Sequence, residues 1–228
     1  MKMKKTQTPP PKFLEVFSPT IMESTVPQRF VDIVNTAGDD VLSSEQKSAK
    51  WDWSHKLVGK VSKEIQIPVE DADDRKFLFN TMRQACVDYL NYIISKNRAY
   101  GWYKLAGKEG KPTLDNIHLT HSWIVSQYAG EYNPYHHHTG DFSAVVYLKI
   151  PPKMQEEIEN ELKDHAPSNG LIEFMYGENA DMRSDNLKFK PEVGKLLVFP
   201  PYLKHFVYPF YCEGERRSMS FNAHMRIV

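Results

Sequence analysis

From residue 118 onward the sequence is cut into short runs of β-formers by clusters of turn residues, and this alternation constrains the fold more than any other feature. The runs are Trp123–Tyr128, Asp141–Ile150, Leu171–Tyr176, Lys195–Pro200 and Ser218–Ile227. Between and beside them stand Asn133-Pro134, Pro151-Pro152, Ser168-Asn169-Gly170, Pro200-Pro201 and Glu213-Gly214. β-Branched and aromatic side chains suit a pleated, half-buried surface, whereas proline and glycine interrupt its ladder. The first half has another period. From Asp73 to Arg98, the residues Phe79, Met82, Cys86, Tyr89 and Ile93 recur every three or four positions, which places them on one face of a helix. Asp73 and Asp74 suit its positive end, and Lys96 and Arg98 the other. Shorter helices are predicted around Pro27–Asn35 and Ser44–Val61, with Trp51 and Trp53 packing onto the core. Strands that follow helices in this way predict a mainly β protein with flanking helices. The expected form is a β-sandwich or jelly roll, with an N-terminal helical layer on one sheet and an open mouth at one end.

The 228 residues suffice for one sizeable core, so residues 13–228 are expected to form a single domain. Within it, 13–117 supply mostly helical support and 118–228 the β core. Residues 1–12 are expected to be a loose tail, stiffened by Pro9, Pro10 and Pro11. The charged, helix-compatible stretch Lys153–Asp164 is predicted to be a solvated insertion between strands. Lys plus Arg and Asp plus Glu both number 29, and this balance gives no basic surface for nucleic acid or membrane. No run of about 18 apolar residues occurs, and no apolar segment follows the basic start. Two cysteines are too few for a disulfide scaffold. Together these features predict a cytoplasmic protein; an oligomer is compatible with them.

The chemistry concentrates between Tyr128 and Asp141, where His136, His137 and His138 are consecutive. In an extended backbone His136 and His138 share a face and His137 points away. Two imidazoles with a carboxylate nearby, here Asp141, form a ligand set suited to iron, zinc, nickel or copper. A distal partner stands at the end of Gly194-Lys-Leu-Leu-Val-Phe-Pro-Pro-Tyr-Leu-Lys-His205, where a glycine turn and a proline-ended strand deliver His205 to the sandwich mouth. Beyond it, alternation in Arg216-Arg-Ser-Met-Ser-Phe-Asn222 puts Arg216, Ser218, Ser220 and Asn222 on one face and Arg217, Met219 and Phe221 on the other. Arg216 and Ser218 together could clamp a carboxylate. His118 and His121 are read as strand-start or core histidines; His224 shares parity with Asn222 and has no assigned role.

In this order, H-x-H, G-x-L-x-x-F-P-x-x-x-x-H and R-x-S-x-S-F-N, the motifs resemble the 2-oxoglutarate-dependent Fe(II) oxygenase superfamily. The nearest likeness is to the small oxygenases of bacteria and marine phages and to the prolyl-hydroxylase-like and aspartyl β-hydroxylase-like branch. The resemblance covers roughly Ser122 to Met225. It implies a double-stranded β-helix of cupin-like form, with Fe(II) at the mouth and 2-oxoglutarate as cosubstrate. It also implies a dioxygenase that uses O2 to couple decarboxylation of 2-oxoglutarate to succinate with hydroxylation of a second substrate. His136 matches the first histidine of the family's triad and His205 the distal one. Arg216 and Ser218 match its cosubstrate clamp, and Tyr128 a position that often helps bind the cosubstrate. Position 138 departs from the pattern, because the family usually carries Asp or Glu there. His138 is the expected third ligand, Asp141 the rival or a supporting carboxylate, and a two-histidine site completed by water the remaining arrangement. The alternative reading is a cupin-type dioxygenase or isomerase that needs no 2-oxoglutarate, in which Arg216 and Ser218 are structural. Val145, Tyr147, Phe174 and Phe199 are candidate cavity walls. The loops Lys104–Asn116 and Lys153–Asn169 would select the substrate, either a peptidyl side chain or a small metabolite.

Overall fold

The computed structural model describes residues 18–56, 58–160, 168–181 and 183–227. The expected tail at 1–12 and part of the predicted insertion lie outside them. Among the described residues, ten strands form two antiparallel sheets. The larger runs β1 (Met22–Thr25), β8 (Lys195–Phe199), β5 (Phe142–Lys149), β10 (Arg216–Met225), β3 (Ile117–Gln127) and β2 (Lys63–Gln66). The smaller runs β4 (Asn133–His136), β9 (Lys204–Val207), β6 (Ile172–Met175) and β7 (Asn186–Phe189). Facing sheets with these interleaved connections make a double-stranded β-helix. The five predicted strands are β3, β5, β6, β8 and β10. The other five are too short, at four residues each, to show a period of their own.

Helices cover the outer face of the larger sheet. α1 (Gln28–Leu42) buries Phe30, Val31, Val34, Gly38 and Val41, and α3 (Ala72–Ser95) buries Leu78, Met82, Cys86 and Tyr89. The Asp71 carboxylate caps α3 by accepting from the Asp74 N–H at 2.8 Å. α2 (Glu45–Trp51) is shorter than the predicted Ser44–Val61, since a single 3-10 turn at Ser54–Lys56 follows it. Trp51 packs on the helix-side core as expected, but Trp53 lies at the rim, its ring 5.7 Å from that of His121. α4 (Tyr100–Ala106) has no strong period and was not anticipated. α5 (Met154–Asn160) lies in the charged insertion, but Met154 and Ile158 are buried, so the segment is not wholly solvated.

Strand parity divides β10 between two cores. Met219 and Phe221 join Val146, Ile124 and the helices, while Val145, Phe199 and Phe174 form a separate cluster between the sheets. The two adjacent arginines are therefore sent to opposite sides. Arg217 faces α1, where it bonds Asp39 Oδ1 at 2.8 Å, Asn35 Oδ1 at 3.2 Å and both Glu215 oxygens at 2.6 and 2.9 Å. Gly38 admits it, because a Cβ there would lie 3.2 Å from Nη1. Arg216 faces the cavity between the sheets.

Candidate active site

β4 and β9 run antiparallel with His136 directly opposite His205, and Phe174 of β6 flanks His205 on its other side. This register brings together histidines 69 residues apart, their ring centres 4.2 Å from each other. His138 follows the end of β4. Its backbone N–H donates to Pro201 O at 2.9 Å, which ties the histidine loop to the turn before β9. Its ring centre is 5.0 Å from that of His136 and 5.1 Å from that of His205. Gly140 lets the chain turn back into β5, with φ at 116° and the Ala223 carbonyl 2.9 Å from where a Cβ would stand. One ligand atom from each histidine can be chosen so that all three lie within 4.8 Å of one another.

Two of the rings are oriented by the same local device. His136 Nδ1 lies 2.6 Å from Pro134 O, and His205 Nδ1 lies 3.0 Å from Leu203 O. A carbonyl can only accept, so each Nδ1 carries the proton and each Nε2 keeps its lone pair. Burial holds all three imidazoles neutral, and neighbouring histidines, His137 among them, add to the effect. His138 is pushed down to about 3, His205 well below the ordinary histidine range, and His136 below it too. Neutral imidazoles in a cluster are ligands waiting for a cation rather than a charged surface patch.

Deeper in the same cavity lies Arg216, only 2% exposed. Nη1 donates to Gln127 Oε1 at 3.0 Å, the guanidinium carbon sits 5.0 Å from the Tyr147 ring centre, and Nε has no partner. The buried Tyr147 hydroxyl lies against the guanidinium, which opposes the rise in its pKa that burial causes. Among the described residues no carboxylate pairs with Arg216. A buried cation left so is costly, and the cost is recovered only when an anion enters. Ser218, one step along the inward face, lines the cavity beside it. The cavity thus has a metal-ligand set at one end and an anion receptor at the other.

The remaining expectations fall as follows. Asp141 stands apart from the histidine cluster: its Oδ2 accepts from the Met225 N–H at 2.8 Å and lies 3.2 Å from His224 Nδ1. The turn at Gly140 aims it at the end of β10. Tyr128 does not line the cavity. It is 43% exposed, past the end of β3, and the inward parity there belongs to Gln127. His118 and His121 are exposed strand-start residues, and neither is in the core. Val145 and Phe199 line the cavity, and Phe174 packs on His205 with ring centres 5.5 Å apart. Sequence reasoning missed Gln127, the partner of Arg216, although the strand alternation that selects Trp123 and Val125 also selects it.

Residues 121–222 match the family model described as "Putative 2OG-Fe(II) oxygenase". Over that segment, less than half of the chain, the sequence is similar to the 2-oxoglutarate- and Fe(II)-dependent oxygenases. The matched segment contains all three clustered histidines, Arg216 and Ser218. Among solved structures, AviO1 from Streptomyces viridochromogenes is 11% identical with a TM-score of 0.52, covering 90% of this chain and 89% of its own. A prolyl hydroxylase from Trichoplax adhaerens, in complex with a hypoxia inducible factor peptide fragment, is 15% identical with a TM-score of 0.50, covering 90% and 82%. The 2-oxoglutarate-dependent carbocyclase SnoK of nogalamycin biosynthesis is 9% identical with a TM-score of 0.51, covering 90% and 81%. At these identities the likeness is one of fold. No curated protein matches the sequence. No described helix is long and apolar enough to cross a membrane.

Proposed function

We propose that the protein is an Fe(II)- and 2-oxoglutarate-dependent dioxygenase that hydroxylates a second substrate. His136, His138 and His205 would hold the metal, and Arg216 with Ser218 would hold the far carboxylate of 2-oxoglutarate. The single observation that carries this reading is the buried, carboxylate-free guanidinium of Arg216 in the same cavity as the three neutral histidines. The residues fit both groups. Three lone-pair nitrogens suit a divalent first-row metal and leave further positions for a bidentate ligand and O2. A planar buried fork suits a carboxylate. When bound, iron and 2-oxoglutarate supply the O2 activation that couples decarboxylation to succinate with hydroxylation.

The chain's own contribution is placement and exclusion. Pro134 O and Leu203 O fix two imidazoles, so the metal ligands need no reorganisation. Gln127 holds Arg216 at the closed end, which sets the depth at which an anion must sit. Val145, Phe174 and Phe199 keep the space between the two ends apolar, and so exclude water from the reacting region. A cupin-type enzyme without 2-oxoglutarate would give Arg216 no anion to bind. The second substrate of the proposed oxygenase is read as a peptidyl side chain or a small metabolite.

The test needs no knowledge of that substrate. Fe(II) and 2-oxoglutarate are added to the purified protein without oxygen, and the weak visible charge-transfer band of a metal-chelated keto acid is sought. The expected result is a band in the wild type that is lost in Arg216→Met. Iron binding with no band would favour the cupin-type alternative, and absence of metal binding would reject the triad.

A further inference from the structure

A buried acid beside the cavity plays no part in the chemistry above. Glu64 of β2 is 2% exposed, and its Oε1 has no hydrogen-bond partner. Its strand neighbour is Val125, which lines the cavity, so the carboxyl shares the inward side of the sheet. Across from it, Asn133 begins β4, the strand that ends in His136, and Asn133 Oδ1 is also buried without a partner. Both oxygens converge on the backbone of Gly59. A Cβ there would stand 3.3 Å from Asn133 Oδ1 and 3.5 Å from Glu64 Oε1.

With the Asn133 oxygen turned toward the notch, two buried acceptors face each other and neither is satisfied while Glu64 is ionised. One proton relieves both. A carboxylic acid has an O–H to donate, and an amide oxygen accepts it. We propose that Glu64 is a positioning residue for the metal-bearing strand: its neutral carboxyl donates to Asn133 Oδ1 and so ties β2 to the start of β4. The inference rests on the reading of His136 as a metal ligand. Loss of the proton leaves two like-polarised oxygens opposed in a dry site, and the strand carrying His136 is then released from β2.

The surroundings favour the neutral form. Burial raises the Glu64 carboxyl from the ordinary glutamate range to about 7, and the carboxylates of Asp52, beside β2, and Glu131, in the turn before β4, push the same way. Val125 and Gln127 of β3 bring no charge. Lys60, on the segment that carries Gly59, is exposed, and no ion pair joins it to Glu64 among the described residues.

The discriminating variant is Glu64→Gln, whose amide N–H donates to Asn133 at every pH, with Glu64→Ala removing the link altogether. Hydrogen exchange at the amides of Asn133, Tyr135 and His136 in the metal-free full chain, corrected for intrinsic rates and compared at pH 6 and 8, reads the tie without any metal. The population with the link falls about tenfold when pH passes one unit above the pKa. Protection in the wild type should therefore drop several-fold from pH 6 to 8, while Glu64→Gln stays flat and Glu64→Ala is low at both. Carbon NMR of the labelled Glu64 carboxyl should titrate with the same midpoint. Equal pH dependence in wild type and Glu64→Gln would overturn the proposal. So would a carboxyl that titrates as an ordinary glutamate, which would mean that the Asn133 amide is turned to donate to an ionised acid. Manganese(II) affinity, measured in parallel, separates the two readings. If protection follows the proton, neither Glu64 variant changes metal binding and His136→Ala abolishes it, the positioning role fails; if His136→Ala also binds normally, the reading of His136 as a ligand fails.

Discussion

Replacing Arg216 by methionine should have opposite effects on the empty and the loaded protein. The guanidinium is 2% exposed, donates to Gln127 and pairs with no carboxylate among the described residues. Burial lowers its pKa, which records the strain of keeping it charged there. An apolar side chain of similar length removes that cost, so the metal-free variant should melt no lower than the wild type. The loaded protein loses the receptor. Truncating one partner of a buried, hydrogen-bonded charge pair costs about 2–5 kcal/mol, which is roughly 30-fold to several thousand-fold in 2-oxoglutarate Kd. Anaerobic titration of the visible band, or calorimetry with Mn(II) in place of iron, measures it. Arg217→Met is the internal control, equally buried and one residue away. It breaks contacts to Asp39, Asn35 and Glu215, so it should lose on the order of 3 kcal/mol of stability and keep nearly all its 2-oxoglutarate affinity. Equal losses of affinity in the two variants would show that the strand parity is wrong. An Arg216→Met protein that melts lower and still binds 2-oxoglutarate would make Arg216 a structural residue.

The other expectations concern the histidines and the tyrosines. His205→Ala and His138→Ala should each reduce divalent-metal affinity by more than about 100-fold. Asp141→Ala should leave it nearly unchanged and cost about 1 kcal/mol of stability through its lost contact with the Met225 N–H. Titration with Mn(II) and chemical unfolding check these, and a larger metal defect in Asp141→Ala would restore the carboxylate as ligand. Tyr147→Phe should weaken 2-oxoglutarate binding about tenfold, because it removes a buried hydroxyl beside Arg216, whereas Tyr128→Phe should not. The reverse order in the same titration would refute the placement. The histidine cluster also sets a pH dependence. His138, His205 and His136 stay neutral when folded and take up protons near 6.5 when unfolded, so the unfolded state binds more protons as pH falls. Metal-free stability should therefore decline below pH 6.5, by up to roughly 1.4 kcal/mol per pH unit for each such histidine, and His205→Ala should flatten the slope. Urea unfolding between pH 7 and 5 that shows no difference between the two proteins would refute it.

Much of this architecture is legible in residue order because two rules act over short distances. Alternation along a strand assigns Arg216 and Arg217 to opposite cores before any contact is known, and the proline and glycine breaks delimit the strands that carry it. Four-residue strands such as β4 and β9 carry too few positions for a period, yet it is their pairing that sets His136 against His205. What alternation cannot give is direction beyond a strand's end. Tyr128 and Asp141 both lie within a residue of one, and a single glycine at 140 or a strand that ends at 127 turns each away from the cavity.

Pairing between distant strands is the other source of unseen function. Glu64 sits in a segment with no motif, and only the register of β2 on β3 places it inward beside Val125. Asn133 reads in sequence as half of an Asn-Pro turn signal, yet it opens β4 and buries its amide oxygen. Neither residue is unusual alone. Opposed across Gly59 they create an unmet demand for one proton, on the strand that leads to His136. The same reasoning identifies Arg216 at the other end of the cavity as an unmet demand for an anion. Buried polar groups left unpaired by the fold therefore mark where a ligand or a proton completes it, and such groups become visible only when the strands are paired.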